Sequence, residues 1–479
     1  MKVGIRADRE DFFYDMHSLV RSFFPDDDVS IYAESDTEKC MSPHQLEIRV
    51  TVPEYADRKS AKDTLKRDLY RMLSAYTGRE LPWGILSGIR PTRIPMQMLD
   101  AGKSAEECIR YLRDEDYVSH EKAALAAEIA VRERQLMREV RLGEEHYSLY
   151  IHIPFCPSIC LYCTFSSSPV SVWEKHAQEY LDTLLAEMRV RHDRIVREGG
   201  DKGPQTVYIG GGTPTTLSAQ QLDELLTGTE EIWDLSQVKE YTVEAGRPDS
   251  FSEDKLKVLK KHGVTRISVN PQTMQDRTLE IIGRRHTAED TAAAFRMARE
   301  AGFDNINMDI ILGLPGEGER ELAGTLEAIE VLRPDSLTVH SLAVKRASRL
   351  TRNIREDREK DDGADRGAFR GLSLDNSNDL MHMAQQSAAR MGMVPYYLYR
   401  QKNMRGNLEN TGFAAPGKEC LYNILIMEEV QTIQAFGAGA STKTVSADGR
   451  IERTISAKDV RVYLERTKQQ LWEESSITI

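Results

Sequence analysis

The chain has 479 residues, of which 40% are hydrophobic and 29% charged, and a formal net charge of −12. This length exceeds one ordinary hydrophobic core, so two or three domains are expected. No apolar run approaches the roughly 18 residues needed to cross a bilayer, and the first residues lack the apolar stretch of a signal peptide. These features predict a cytoplasmic protein with no membrane span. The acidic balance argues against a nucleic-acid partner, because a general nucleic-acid binder carries a basic face.

The first part of the chain, residues 1–140, mixes strand-like and helical stretches and is predicted to form an N-terminal α+β domain of unknown role. Leu46–Val52 alternates apolar and polar residues, as a half-buried strand does. Residues 61–75 and 103–113 are predicted to be amphipathic helices, and residues 119–141 a longer helix.

From residue 146 onward, short apolar runs alternate with helical stretches. The predicted strands are Ser148–Ile153, Thr206–Ile209, Tyr241–Glu244, Arg266–Asn270, Asn305–Leu312 and Ser336–Leu342. The predicted helices lie near residues 173–197, 218–228, 252–262, 287–301 and 318–332. Strands joined by helical crossovers predict an α/β fold with a parallel sheet, open or curled into a partial (β/α)6 barrel, over residues 146–347.

The barrel is expected to end before a charge-dense stretch at residues 352–370, which is predicted to be a solvated helix or loop. Residues 371–479 are then predicted to form a small mixed C-terminal domain.

Three of the six cysteines, Cys156, Cys160 and Cys163, stand close together after the first predicted barrel strand, with the spacing Cys-x3-Cys-x2-Cys. Thiolates this close suit a soft metal or an iron–sulfur cluster. Zinc usually takes four ligands, and no fourth Cys or His follows at a fitting spacing. The motif therefore predicts a [4Fe–4S] cluster whose fourth iron is open to a substrate or cofactor; three unrelated loop cysteines and a structural zinc site are the alternatives.

Polar and glycine residues stand at the ends of several predicted barrel strands. Gly210–Thr215 follows the second strand, and consecutive glycines let backbone approach a ligand and expose N–H groups. Glu244, Gln272 and Asp309 lie at or near the ends of other strands, where ligands bind in such sheets. Each of the three could instead be a satisfied structural group, but their recurrence around one rim favours a binding site.

Taken together, these residues resemble the radical S-adenosylmethionine (SAM) superfamily, and more narrowly the oxygen-independent coproporphyrinogen III dehydrogenase family. The cysteine spacing is typical of the superfamily. Tyr150–Cys156 and Gly210–Thr215 are typical of the coproporphyrinogen branch and its heme-chaperone relatives. The segments similar to the HemZ-type subgroup are Ser87–Arg93, Val339–Ser348, Pro395–Met404 and Gly406–Asn410.

The resemblance implies a cofactor site. Cys156, Cys160 and Cys163 would ligate the [4Fe–4S] cluster, and SAM would chelate its open iron. The SAM pocket would consist of Tyr150, Gly211, Gly212, Thr213, Glu244, Gln272, Arg284, Asp309 and Ala343. Within this pocket the glycines and Thr213 would meet the methionyl end, and Asp309 suits a ribose hydroxyl because a carboxylate accepts hydrogen bonds.

The resemblance also implies a reaction in heme biosynthesis. The reduced cluster would cleave SAM to a 5′-deoxyadenosyl radical, and oxidative decarboxylation of two propionates would convert coproporphyrinogen III to protoporphyrinogen IX. The implied partners are a tetrapyrrole substrate and an electron donor such as flavodoxin or ferredoxin. Arg346, Arg400, Lys402 and Arg405 are candidates for binding the substrate carboxylates; ordinary surface bases are the alternative for each.

One position departs from the better-defined dehydrogenases, which carry a further Cys two residues after the third; here that residue is Phe165. Heme-chaperone relatives also lack this Cys. Two alternative functions therefore stay open: a heme-binding chaperone built on the same barrel, and a radical methyltransferase acting on heme.

Overall fold

The structure is a computed structural model. It describes residues 1–25, 27–36, 43–138, 140, 146–199, 203–343, 348–350, 352–353, 376–401 and 405–477. The chain divides into two compact units. Unit 1 comprises Met1–Val131, Asn376–Asn378 and Leu398–Asn410, and unit 2 comprises Arg132–Asp375, Asp379–Tyr397 and Thr411–Ile479. The division into three domains made from the sequence stays a prediction.

Unit 1 contains a parallel three-stranded sheet with the order β2-β1-β3 among its described residues. The strands are β1 (Lys2–Ala7), β2 (Asp28–Ala33) and β3 (Leu46–Val50). The helices that begin in this part of the chain are α1 (Phe13–Phe23), α2 (Arg58–Thr77), α3 (Arg93–Asp100), α4 (Ala105–Asp114) and α5 (His120–Met137). The strand predicted at Leu46–Val52 and the three predicted helices are confirmed.

Helix positions in unit 1 follow from the spacing of apolar residues and from caps. In α1 the buried residues are Met16, Leu19, Val20 and Phe23, which form one apolar stripe. Helix α4 begins at a reciprocal capping box in which Ser104 and Glu107 bind each other's backbone N–H groups.

A buried ion pair joins the returning segment Leu398–Asn410 to the rest of unit 1. Lys122 Nζ lies 2.8 Å from Glu409 Oε1, and both side chains are fully buried. Trp83 Nε1 donates to the other carboxylate oxygen of Glu409 at 2.7 Å. Two of the segments similar to the HemZ-type subgroup, Ser87–Arg93 and Gly406–Asn410, therefore belong to the same compact unit.

Unit 2 contains the six parallel strands that were predicted. Their order across the sheet is the same as their order in the chain. They are β4 (Tyr147–Ile153), β7 (Pro204–Gly211), β8 (Glu240–Gly246), β9 (Arg266–Val269), β10 (Ile306–Leu312) and β11 (Ser336–Ser341). Every neighbouring pair is parallel, and the strand interiors are almost wholly buried, as expected for a sheet covered on both faces. The predicted partial barrel is confirmed.

The helices of unit 2 cover this sheet. They are α6 (Val170–Trp173), α7 (Ala177–Arg197), α8 (Ala219–Ile232), α9 (Glu253–Lys261), α10 (Asp276–Ile281), α11 (Ala288–Glu300), α12 (Glu319–Leu332), α13 (Asn378–Arg390), α14 (Leu421–Glu428) and α15 (Val460–Ile477). The five predicted crossover helices are confirmed, whereas the short α10 was not predicted. Among the described residues, no helix combines the length and apolar character that a bilayer crossing requires.

The strands after residue 390 extend the barrel sheet at both edges. They are β12 (Val394–Tyr399), β13 (Asn410–Ala414), β14 (Thr432–Phe436), β15 (Ser441–Val445) and β16 (Ile451–Ile455). Strand β13 pairs antiparallel with β11, and β14 pairs parallel with β4. Among the described residues the sheet has eleven strands and does not close into a barrel.

Candidate functional site

The cysteine loop leaves β4 and is closed by a short pair of strands. β5 (Phe155–Cys156) pairs with β6 (Ser168–Pro169), so the loop's two ends lie side by side. The Cys163 N–H donates to the carbonyl of Cys160 at 3.1 Å, which folds the loop back on itself. Cys160 is buried and the other two cysteines are half-buried.

Burial governs the chemistry of these thiols. It raises the pKa of Cys156 to about 11, an effect partly offset by the hydrogen bond from Thr213 Oγ1 to the sulfur at 3.6 Å. Burial also raises the pKa of Cys163. A buried thiol of this kind stays protonated near neutral pH unless a cationic metal centre binds it, because coordination to the metal removes the proton.

Two buried arginines flank the cysteine loop. Arg284, which the resemblance implied, donates to the Asn270 carbonyl at 2.5 Å and to Tyr162 Oη at 3.5 Å. Arg247 was not predicted from the sequence; its Nη1 lies 3.9 Å from Cys160 Sγ. Its neighbours in the chain, Gly246 and Pro248, suggest only a turn, so no sequence signal singled it out.

The glycine run brings the end of β7 against the cysteine strand. A Cβ on Gly212 would lie 2.5 Å from the Phe155 carbonyl oxygen, and Gly211 has a φ of +112° with the His152 ring where a Cβ would stand. The N–H groups of Gly212 and Thr213 donate to the carbonyls of Ile153 and Phe155. These two N–H groups are thus used inside the protein, and the expectation that they are exposed to a ligand is wrong.

Glu244 lies in a stack of tyrosines inside the barrel. Tyr208 Oη donates to Glu244 Oε1 at 2.6 Å, and the Gly211 N–H donates to Oε2 at 3.3 Å. The ring of Tyr208 stacks on Tyr422 of α14 at 4.5 Å, and both stack with Tyr150 at 6.1 Å. Burial raises the pKa of Glu244 to about 7, although the Tyr208 hydrogen bond opposes the shift.

Gln272 lies just beyond the end of β9 and contacts Asp309 in the middle of β10. Gln272 has a φ of +68°, which is uncommon for a residue with a side chain. Its N–H donates to the Asp309 carbonyl at 2.9 Å. Asn307 Nδ2 donates to Asp309 Oδ1 at 2.6 Å, and His340 Nε2 lies 4.0 Å from Oδ2. The Asp309 carboxylate therefore has a fixed orientation.

The structure brings most of the predicted site residues together in unit 2. Thr213 contacts Cys156, and Gly211 contacts Glu244. Gln272 contacts Asp309. Burial is the main cause of the raised pKa of Glu244, and the negative charge of Asp309 raises it further. Ala343 follows Leu342, whose N–H donates to Leu312 at the end of β10.

The structure does not support the basic residues that were candidates for binding the substrate carboxylates. Arg346, Lys402 and the side chain of Arg405 lie outside what the structure describes. Arg400 is buried, and its guanidinium donates to the backbone carbonyls of Leu86 and Leu408 and to Asn407 in unit 1. Arg400 is therefore a buried structural group, which is neither a surface base nor available to a substrate carboxylate.

The donor set fits an iron–sulfur cluster. Three partly buried thiols lie on one loop, and two buried guanidinium groups stand near them to balance thiolate charge. No group of three or more His, Cys, Asp or Glu side chains among the described residues converges closely enough to hold a single metal ion. A four-iron cluster has no need of such convergence, because it offers a different iron to each thiol.

Comparisons with known proteins agree with this geometry. The sequence profile described as "Radical SAM superfamily" matches residues 150–329. The oxygen-independent coproporphyrinogen-III oxidase-like protein HemZ of Bacillus subtilis (strain 168) is 40% identical over 410 residues, which cover 85% of this chain and 79% of that protein. The heme chaperone HemW of the same organism is 40% identical over 199 residues, 41% of this chain and 51% of its own length.

The solved structure titled coproporphyrinogen III oxidase (HemN) from Escherichia coli, a radical SAM enzyme, superposes with a TM-score of 0.52 at 22% identity. The superposition covers 71% of this chain and 73% of that one, and it supports the fold alone. Radical SAM proteins generally use a [4Fe–4S] cluster and SAM. The chain belongs to the radical SAM superfamily and, within it, to the oxygen-independent coproporphyrinogen III dehydrogenase family of the HemZ type.

Proposed function

We propose that the chain binds a [4Fe–4S] cluster through Cys156, Cys160 and Cys163, binds SAM over the strand ends, and catalyses the oxidative decarboxylation of coproporphyrinogen III to protoporphyrinogen IX. The observation that carries the proposal is the contact between Thr213 and Cys156. It connects the cysteine loop to the end of β7, where the Gly211 N–H donates to Glu244, so one site has both a metal-binding loop and a polar pocket.

The residues have distinct roles in this proposal. The chemistry that a reduced cluster supplies when bound is the one-electron cleavage of SAM. Asp309, held by Asn307, accepts hydrogen bonds from ribose hydroxyls. Tyr150, Tyr208 and Tyr422 keep water away from Glu244, whose carboxylate faces the positively charged cofactor. Gly211, Gly212, Thr213, Gln272, Arg284 and Ala343 complete the pocket.

SAM binding is expected to depend on pH through Glu244. Its pKa of about 7 means that the folded protein without SAM carries a largely protonated Glu244 below neutrality. A cationic ligand favours the ionised form, so the affinity for SAM should rise with pH up to about 7 and then level off. The slope should approach at most about tenfold per pH unit on the acidic side. Equilibrium dialysis of the cluster-loaded protein at several pH values measures it.

Glu244→Gln is the matched variant for this pH dependence. The amide keeps the size of the side chain and can still accept from Tyr208, but it cannot ionise. Its affinity for SAM should be low and constant between pH 6 and pH 8. A wild-type pH profile in this variant would show that another group titrates.

A heme chaperone is the second candidate, and two observations favour it. HemW of Bacillus subtilis is 40% identical over 199 residues, and Phe165 occupies the position of the further Cys of dehydrogenases. Phe165 is 72% exposed, and its hydrocarbon side chain cannot supply the thiol that the dehydrogenases have at this position.

An anaerobic reaction distinguishes the candidates. The reduced, cluster-loaded protein is incubated with SAM and coproporphyrinogen III, and the products are separated by liquid chromatography with mass detection. We expect monovinyl and divinyl products together with 5′-deoxyadenosine. If 5′-deoxyadenosine forms with no vinyl product, and the protein binds heme tightly at one per chain, the chaperone function is favoured. Methylated or ring-opened tetrapyrrole would indicate the methyltransferase.

A further inference from the structure

We propose that Arg247 is a positioning residue that holds the cysteine loop and raises the reduction potential of the cluster through Cys160. This inference rests on the cluster binding proposed above. Arg247 lies just beyond the end of β8, three residues after Glu244, and its side chain is only 4% exposed. No role for this residue followed from the sequence.

Arg247 is anchored from one side by a carboxylate. Its Nε and Nη2 donate to the two oxygens of Asp249 at 2.9 and 2.7 Å, a bidentate pairing. This fixes the plane of the guanidinium and turns Nη1 toward the cysteine loop. A lysine has a single ammonium group and could not make the same paired contacts.

From its free side Arg247 contacts the cysteine loop at three atoms. Nη1 lies 2.9 Å from both the carbonyl oxygen and the hydroxyl of Ser158, and 3.9 Å from Cys160 Sγ. Ser158 in turn donates to the Gly283 carbonyl at 2.9 Å. Arg247 therefore connects the end of β8 to the loop between Cys156 and Cys160, and through Ser158 to the segment before Arg284.

The consequence concerns the charge of the reduced cluster. Adding an electron makes the cluster and its thiolates more negative, and hydrogen bonds to the sulfurs stabilise that state. A buried guanidinium next to Cys160 acts in the same direction, because it is poorly screened by water. Asp249 neutralises part of the positive charge of Arg247, but the Nη1 group still contacts the cysteine loop at Ser158 and Cys160.

The test is a redox titration of three cluster-loaded variants, followed by electron paramagnetic resonance under anaerobic conditions. Arg247→Gln should shift the midpoint potential to a lower value than that of the wild type. Arg247→Lys, which keeps a charge without the fork, should fall between the two. Arg285→Gln is the control because Arg285 is exposed and close in sequence; its potential should equal that of the wild type.

Iron and sulfide analysis of each sample separates this inference from the proposed function. Wild-type protein that holds no cluster would refute the proposed function itself. Arg247→Gln with a complete cluster and the wild-type potential would overturn the role of Arg247. If Arg247→Gln loses its cluster, Arg247→Lys decides: a full cluster at the wild-type potential overturns the inference, and a full cluster at a lower potential supports it. Loss of the cluster in both variants, with a normal Arg285→Gln, supports the role of Arg247 in holding the cysteine loop.

Discussion

Replacing Cys160 by Ala is expected to abolish cluster binding. Cys160 is the most buried of the three cysteines and lies next to both arginines, so its loss removes one of three protein ligands and leaves two guanidinium groups facing no thiolate. Iron and sulfide in the anaerobically reconstituted protein should fall to background, and formation of 5′-deoxyadenosine from SAM should cease.

Cys108→Ala is the matched control for this loss. Cys108 is also buried, but its thiol lies in unit 1, where it donates to the Pro95 carbonyl at 3.7 Å. Its variant should retain a full cluster. A Cys160→Ala protein that keeps four irons and four sulfides per chain would refute the assignment of this ligand.

The second large effect is expected in unit 1, where Lys122→Met removes one half of the buried ion pair. Glu409 then keeps its hydrogen bond from Trp83 but loses the ammonium group that lies 2.8 Å from its carboxylate in this buried site. Breaking a buried pair costs about 3–5 kcal/mol. Denaturant unfolding should show this loss, and amide hydrogen exchange should place it in unit 1.

A surface ion pair in the same unit serves as the control. Lys103 and Glu107 lie 3.1 Å apart and are about half exposed, so Lys103→Met should change the free energy of unfolding by only about 0–1 kcal/mol. Equal destabilisation by the two substitutions would contradict the account of Lys122. The double variant Lys122→Met, Glu409→Met should recover part of the loss, since it removes both members of the buried ion pair.

Local patterns were sufficient to predict the barrel. Its strands are short apolar runs bounded by helices with clear caps, such as the Ser218–Gln221 and Thr287–Asp290 capping boxes. The edges of the sheet were not predictable in this way. Strand β14 pairs directly with β4, although most of the residues of unit 2 lie between them in the chain. Nothing within residues 432–436 indicates a partner so distant in sequence.

In the candidate site, too, local patterns predicted some features, whereas others depend on residues distant in sequence. The cysteine spacing and the residues at the strand ends identified the elements that meet, because the carboxyl ends of parallel strands share one rim. The sequence did not reveal what each group contacts. No pattern singled out Arg247, which is a buried neighbour of Cys160. Arg400 was a candidate for the substrate carboxylates, but its guanidinium donates to backbone carbonyls. Such outcomes depend on tertiary packing.

The most direct test of the central claim follows a hydrogen atom from substrate to cofactor. Coproporphyrinogen III labelled with deuterium at the β-carbons of its propionates is incubated with the reduced, cluster-loaded protein and SAM. If the chain performs the proposed decarboxylation, the 5′-deoxyadenosine should carry deuterium and should form alongside vinyl product. Unlabelled 5′-deoxyadenosine with unchanged substrate would contradict it, because SAM cleavage would then occur without reaction at the tetrapyrrole.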